Sequence, residues 1–279
     1  MRRLGNHRTR FTRHLAHLFG GWLLASSCAM AAAPSSVFLE ELTTTEVRDA
    51  LRAGKTTVII PVGGTEQNGP HMVLGKHNVR ARVLAGRIAE SLGNALVAPV
   101  LSYVPEGSIS PPGGHMRFAG TISVPEDAFK SVLDAAARSF KQHAFVDVVL
   151  LGDSGNYQHL LKAVAARLNR DWAASPARAH FIEEYYRAGQ APYISALKAK
   201  GLSDAQIGTH AGTADTSLLM AVDAAGVRAD RLADAAHDGL ASGAAGDPRP
   251  SSAALGQLGV ELIVARSVAA IRAAQAGKH

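Results

Sequence analysis

The chain of 279 residues contains a single cysteine, Cys28. It lies within the first 33 residues, so a chain cut at Ala31 or just after it carries no thiol, a composition compatible with an oxidising compartment. Acidic residues are missing from those same 33 positions, which hold Arg2, Arg3, Arg8, Arg10 and Arg13. A basic start, an apolar stretch near residues 18–25 and then Ala29-Met-Ala31 follow one another as the three regions of a secretory signal peptide do. The apolar stretch falls short of the roughly 20 residues that a membrane crossing needs, and no second one appears, so no transmembrane span is expected. Internal repeats and low-complexity tracts are also lacking. The expected organisation is a signal peptide over residues 1–33 and one globular domain over residues 34–279, exported to the periplasm. A lipid anchor at Cys28 is the lesser alternative, because Ala25 stands where a lipobox has leucine.

Removing the leader changes what the charge implies. Five of the 29 Lys and Arg residues go with it, leaving 24 against 23 acidic residues. The sequence pI near 9.7 then belongs to a targeting segment and not to a basic binding surface, so no nucleic-acid partner is expected. With 47% hydrophobic and 19% charged residues, the remainder suits one large domain with a buried core.

Apolar runs of strand length alternate with stretches of helical period, the pattern of βα units around a mainly parallel sheet. Residues 56–62, 95–103 and 146–151 read as strands. Residues 79–92, 125–143, 157–172, 215–225 and 252–274 read as helices, with Pro125 suited to a first helical turn. Residues 239–250, rich in Gly, Ala and Pro, read as a loop. Nothing in residues 185–208 reads clearly.

Chemistry concentrates after the first of those strands, in Ile60-Pro-Val-Gly-Gly-Thr-Glu66-Gln-Asn68-Gly-Pro-His71 and on through Leu74-Gly-Lys76-His77. A loop leaving the carboxyl end of a strand opens into the crevice where α/β proteins bind ligands, and its glycines allow close backbone approach. Glu66, Asn68, His71 and His77 are therefore the first candidates, the plain alternative being polar residues that merely cap the next helix.

This segment resembles the signature of the creatininase (creatinine amidohydrolase) family, in which Pro-Val-Gly leads into Glu-Gln-His-Gly-Pro-His and an Asp follows nine residues beyond the first of those two His. Here Asn68 replaces the first His and His77 replaces the Asp. Gly114-His115-Met-Arg-Phe-Ala-Gly-Thr-Ile, Leu151-Gly-Asp153-Ser-Gly-Asn156, His210-Ala-Gly-Thr-Ala-Asp215-Thr-Ser and Gly246-Asp247-Pro248 resemble further family motifs in the same order. The resemblance implies a three-layer α/β/α fold with a mainly parallel sheet. It also implies a small nitrogenous substrate and a homo-oligomer, commonly a hexamer.

In the resembling family the positions of Glu66, Asn68, His77, Asp153 and Asp215 bind a pair of divalent metals, and the carboxylate at the position of His77 bridges them. A neutral imidazole offers one lone pair to one metal and cannot bridge. Yet the changes are paired, since the family's Asp has become His77 and its His has become Asp153, so one imidazole and two carboxylates remain with Glu66. The expectation is one well-held ion, Zn²⁺ or Mn²⁺, and a second that is weak or absent, because Asn68, Asp215 and Thr213 stand where the family has stronger or longer ligands. A different outcome is that His77 and Asp153 simply hydrogen-bond each other.

The implied reaction is hydrolysis of a non-peptide C–N bond in a cyclic amide or formamide by metal-activated water. The resemblance makes His210 the proton carrier, with His71 and His115 as substrate contacts. Two rivals stand beside it. Gly152-Asp153-Ser154-Gly155 with Asp234-Ala-Ala-His237 could serve a serine hydrolase using Ser154. The substituted ligand positions also suit a non-catalytic exported protein that binds a small molecule on the same scaffold.

Overall fold

The structure, a computed structural model, describes residues 36–277. The expected signal peptide and Cys28 lie outside the described residues. After helix α1 (Thr44–Arg52), strand β1 (Thr57–Val62) enters the core, followed by α2 (Lys76–Leu92), β2 (Ala95–Val97), α3 (Glu126–Gln142), β3 (Asp147–Gly152), α4 (Gln158–Asp171) and β4 (Arg178–Phe181). Four short or medium helices come next, α5 (Glu183–Ala188), α6 (Ala191–Ala199), α7 (Asp204–Ile207) and α8 (Thr213–Val222), then α9 (Leu232–Asp238) and the long α10 (Ala253–Ala276). The sheet is wholly parallel in the order β2-β1-β3-β4.

The layering follows from strand geometry, in which successive side chains point to opposite faces. Val58, Ile60 and Val62 of β1 and Val148 and Leu150 of β3 pack with Phe129 and Leu133 of α3 and Leu161 and Leu168 of α4. Ile59, Val149 and Leu151 face the other way, onto Leu84 and Ile88 of α2, Tyr185 of α5, Leu218 of α8 and Ile263 of α10. Both central strands are buried throughout, as a parallel sheet covered on two faces requires. This is the expected three-layer α/β/α architecture.

One sequence-based expectation changes. The strand expected over residues 95–103 stops at Val97, because Pro99 has no N–H to donate; pairing resumes only as a single bridge between Leu101 and Val62. The edge strand β4 and helices α5 to α7 lie where the residue pattern carries little signal. Helix α10 is long and apolar enough to cross a membrane by length and composition, but Gly256, Gly259, Val260, Ile263, Val268 and Ile271 along it are buried against the protein.

Candidate active site

The carboxyl ends of β1 and β3 place two acids at one edge of the sheet. Glu66 follows β1 by four residues in a buried loop, and Asp153 follows β3 directly. The first turn of α2 brings Lys76, His77 and Arg80 to the same point, all buried. Three basic groups at a helix N-terminus oppose the helix dipole, so carboxylates must compensate them from outside the helix.

They do so in a closed network. The imidazole of His77 lies between two acids, with Nδ1 2.5 Å from Asp153 Oδ2 and Nε2 2.8 Å from Glu66 Oε1. Arg80 donates Nε and Nη2 to Asp153 Oδ2 at 2.9 and 2.7 Å, and Nη1 to Asp215 Oδ1 at 2.7 Å. Lys76 Nζ donates to Asp215 Oδ2 at 2.9 Å and lies 3.6 Å from Glu66 Oε1. Tyr185 donates its hydroxyl to the remaining oxygen, Asp153 Oδ1, at 2.9 Å.

Burial opposes every one of these charges, and the partners outweigh it. Against their desolvation, Arg80 and His77 hold Asp153 below the usual carboxylate range. The charges of Lys76 and Arg80 do the same for Asp215, and those of His77 and Lys76 for Glu66. Facing Glu66 and Asp153, His77 is raised despite burial. Glu106 is the exception: burial, then the charge of Glu66, push it up to about 8, and its Oε2 accepts from Asn156 Nδ2 at 2.7 Å.

A second grouping lies on the open side of Glu66. Ligand atoms of Glu66, His115 and His210 fall within 4.8 Å of one another and could hold a metal ion. His115 Nε2 is 3.3 Å from Glu66 Oε2, His210 Nδ1 is 3.8 Å from Glu66 Oε1, and the two rings stand 4.7 Å apart. Both histidines are aimed by Gln67. Its carbonyl accepts His210 Nε2–H at 2.9 Å, and its amide lies 3.1 Å from His115 Nδ1. The bond to the carbonyl leaves the lone pair of His210 Nδ1 facing Glu66, and burial lowers this histidine to about 4. A polar cavity of about 240 Å³ opens here, lined by Glu66, His77, His115, Asp153, His210 and Asp215 among others.

The structure thus gathers Glu66, His77, His115, Asp153, His210 and Asp215 at one place. It does not bring Asn68 or His71 to that lining. Asn68 donates its amide to the carbonyls of Glu66 and Val73 at 2.8 and 3.0 Å, bracing the loop. His71 is fully buried, with Nε2 2.9 Å from the Thr216 hydroxyl. Ser154 lines the cavity, but among the described residues its Oγ has a hydrogen bond only from the Asn156 N–H, at 3.5 Å, and Asp234 and His237 sit exposed on α9. Sequence reasoning passed over Lys76, Arg80, Glu106, Gln67 and Tyr185. The spacing of Lys76, His77 and Arg80 on one helical face, with no acid in that first turn, was the available signal.

A wholly parallel three-layer fold with carboxylates and imidazoles gathered at the carboxyl edge of its sheet has the build of an amidohydrolase. Residues 40–271 match the family model described as Creatininase: Creatinine amidohydrolase, and the chain belongs to that family. It is 28% identical over 204 residues to creatinine amidohydrolase of Pseudomonas putida, covering 71% of this chain and 76% of that one. It is 34% identical over 113 residues to the mycofactocin precursor peptide peptidase of Mycolicibacterium smegmatis, covering 39% of this chain and 43%, less than half, of that relative. A solved structure of a substituted creatininase of the Zn–Zn type superposes with a TM-score of 0.70 at 25% identity, over 86% of this chain and 98% of the other. Members of the family are hydrolases acting on C–N bonds.

Proposed function

We propose that this protein hydrolyses a non-peptide C–N bond in a small cyclic amide or formamide, using a divalent ion, Zn²⁺ or Mn²⁺, held by Glu66, His115 and His210. The observation that carries the proposal is the convergence of those three side chains on the polar cavity. Their chemistry fits a cation. Glu66 is held ionised, and His210 gives its Nε2–H to a backbone carbonyl while turning Nδ1 inward, the arrangement that orients a ligating imidazole. His115 would ligate through Nε2 as its Nδ1–H tautomer, which requires the Gln67 amide, now donating to Nδ1, to turn away from the ring. When bound, the ion supplies Lewis-acid polarisation and acidifies a water molecule.

The chain's own residues supply the rest. Lowered to about 4 by burial, His210 is neutral at pH 7 and offers Nδ1 to the ion, and its expected part as proton carrier is the alternative use of that same lone pair. Asn156 and His115, both in the cavity wall, offer polar contacts to a small nitrogenous substrate. The volume near 240 Å³ suits a compact polar molecule. We also propose export to the periplasm, on the strength of the leader, and a homo-oligomer, a hexamer on the family resemblance; cell fractionation and light scattering check each. The experiment is a screen of cyclic amides and formamides with the metal-reconstituted protein and with Glu66→Gln. Turnover by the former and none by the latter supports the proposal; no turnover by either sinks it.

A second reading, a non-catalytic small-molecule-binding protein, draws on the internal compensation of the Glu66, Asp153 and Asp215 charges by Lys76, His77 and Arg80. Ligand binding by calorimetry without turnover distinguishes it.

A further inference from the structure

We infer that Lys76 and Arg80 are built-in cations standing in place of a dinuclear metal centre, so that this chain takes at most one divalent ion. Five positions resemble the metal-binding positions of the family, and four of them, Glu66, His77, Asp153 and Asp215, meet in one cluster. There the two aspartates have no oxygen to spare. Asp153 Oδ2 takes His77 and two Arg80 nitrogens, and Oδ1 takes Tyr185. Asp215 Oδ1 takes Arg80, and Oδ2 takes Lys76 and the Ala211 N–H at 3.0 Å. Each ring nitrogen of His77 faces a carboxylate oxygen, and Arg80 Nη2 lies 3.1 Å from Nδ1, so both edges of the ring are already occupied. The fifth position, Asn68, lies outside the cavity lining, with its NH₂ group donated to backbone carbonyls and its Oδ1 buried away from the cluster.

Charge leads to the same result. Glu66, Asp153 and Asp215 are already met by Lys76, Arg80 and the His77 ring, nearly all shielded from solvent. A divalent ion added among them would stand beside Lys76 and Arg80 in a low-dielectric interior, which is strongly unfavourable. Among the described residues, the place left for a cation is the outer side of Glu66, toward His115 and His210. That single outer site rests on the function proposed above; the exclusion of an inner ion does not.

The test is elemental analysis of the full chain after equilibration with excess Zn²⁺ and desalting. One equivalent, lost in His115→Ala and His210→Ala and kept in Asp215→Asn, supports the inference and the outer site together. No zinc supports the exclusion while removing the metal from the proposed function, and two equivalents in the wild type overturn the inference. Nitrogen-15 NMR of the arginine side chains gives a second readout that needs no variant. The Nε–H of Arg80, which donates to Asp153, keeps its shift when zinc is added, and its displacement overturns the inference. A Lys76→Met, Arg80→Met double variant that circular dichroism shows to be folded is expected to take up one more equivalent than the wild type. No gain in the folded variant overturns the claim that these two cations exclude the ion, and if it does not fold the NMR readout decides.

Discussion

His77 and Asp153 form the shortest contact of the buried cluster, 2.5 Å between Nδ1 and Oδ2, and Asp153 also carries Arg80. Asp153→Asn would leave two buried cations short of a counter-charge. Removing one partner of a buried ion pair typically costs about 3–5 kcal/mol. Urea unfolding of Asp153→Asn is expected to show a loss of that size, well above that of an exposed control such as Asp230→Asn.

Tyr185 touches the same carboxylate through its hydroxyl alone, while its ring is buried in the core. Tyr185→Phe keeps the packing and deletes one hydrogen bond to a charged acceptor. The expected loss is about 1.5–3 kcal/mol, read from the denaturation midpoint with unchanged m-value.

The pH dependence of stability has an identifiable source in His71, which burial and then the Lys76 charge push down to about 4 from its ordinary 6.5. Its folded value lies below its unfolded one, so the unfolded chain binds the proton first. The contribution is complete above pH 6.5 and is lost as pH falls toward 4, by at most about 3 kcal/mol. His71→Gln is expected to flatten the stability profile in that window, as measured by chemical denaturation at stepped pH.

Helices α8 and α10 approach so closely that a Cβ on Gly256 would lie 1.8 Å from the Ser217 carbonyl oxygen. Gly256→Ala must push α10 off α8, at a cost of about 3 kcal/mol or more. A fall in thermal midpoint checks this, and a neutral result would mean that the two helices can separate freely.

Ser154 has no histidine partner among the described residues. Ser154→Ala is expected to retain metal binding and turnover. A variant that binds metal but has lost turnover would restore the serine nucleophile.

Legibility differed between fold and site for physical reasons. The central strands announce themselves because both faces are buried and every residue from Val58 to Val62 is apolar. Strand β4, Arg178–Phe181, sits at the edge of the sheet with mixed burial, so its sequence carries little of that signal. The loop bearing Glu66 was legible because glycines and ionisable groups crowd together there. Lys76 and Arg80 were not, since basic residues on a helix turn read as a solvated face until the fold brings Asp153 and Asp215 from distant segments to meet them.

Gln67 was seen only as a member of a motif, yet its carbonyl aims His210, its amide meets His115, and that amide also donates to the Gly243 carbonyl at 3.1 Å. Two rings separated by 95 residues of chain therefore hang from one hinge pin. Neither can be re-aimed without the other, and the loop at Gly243, whose φ of +90° and close contact with Gln67 leave no room for a side chain, sets the angle of both. A substitution there, outside the cavity, would detune the pair as a unit.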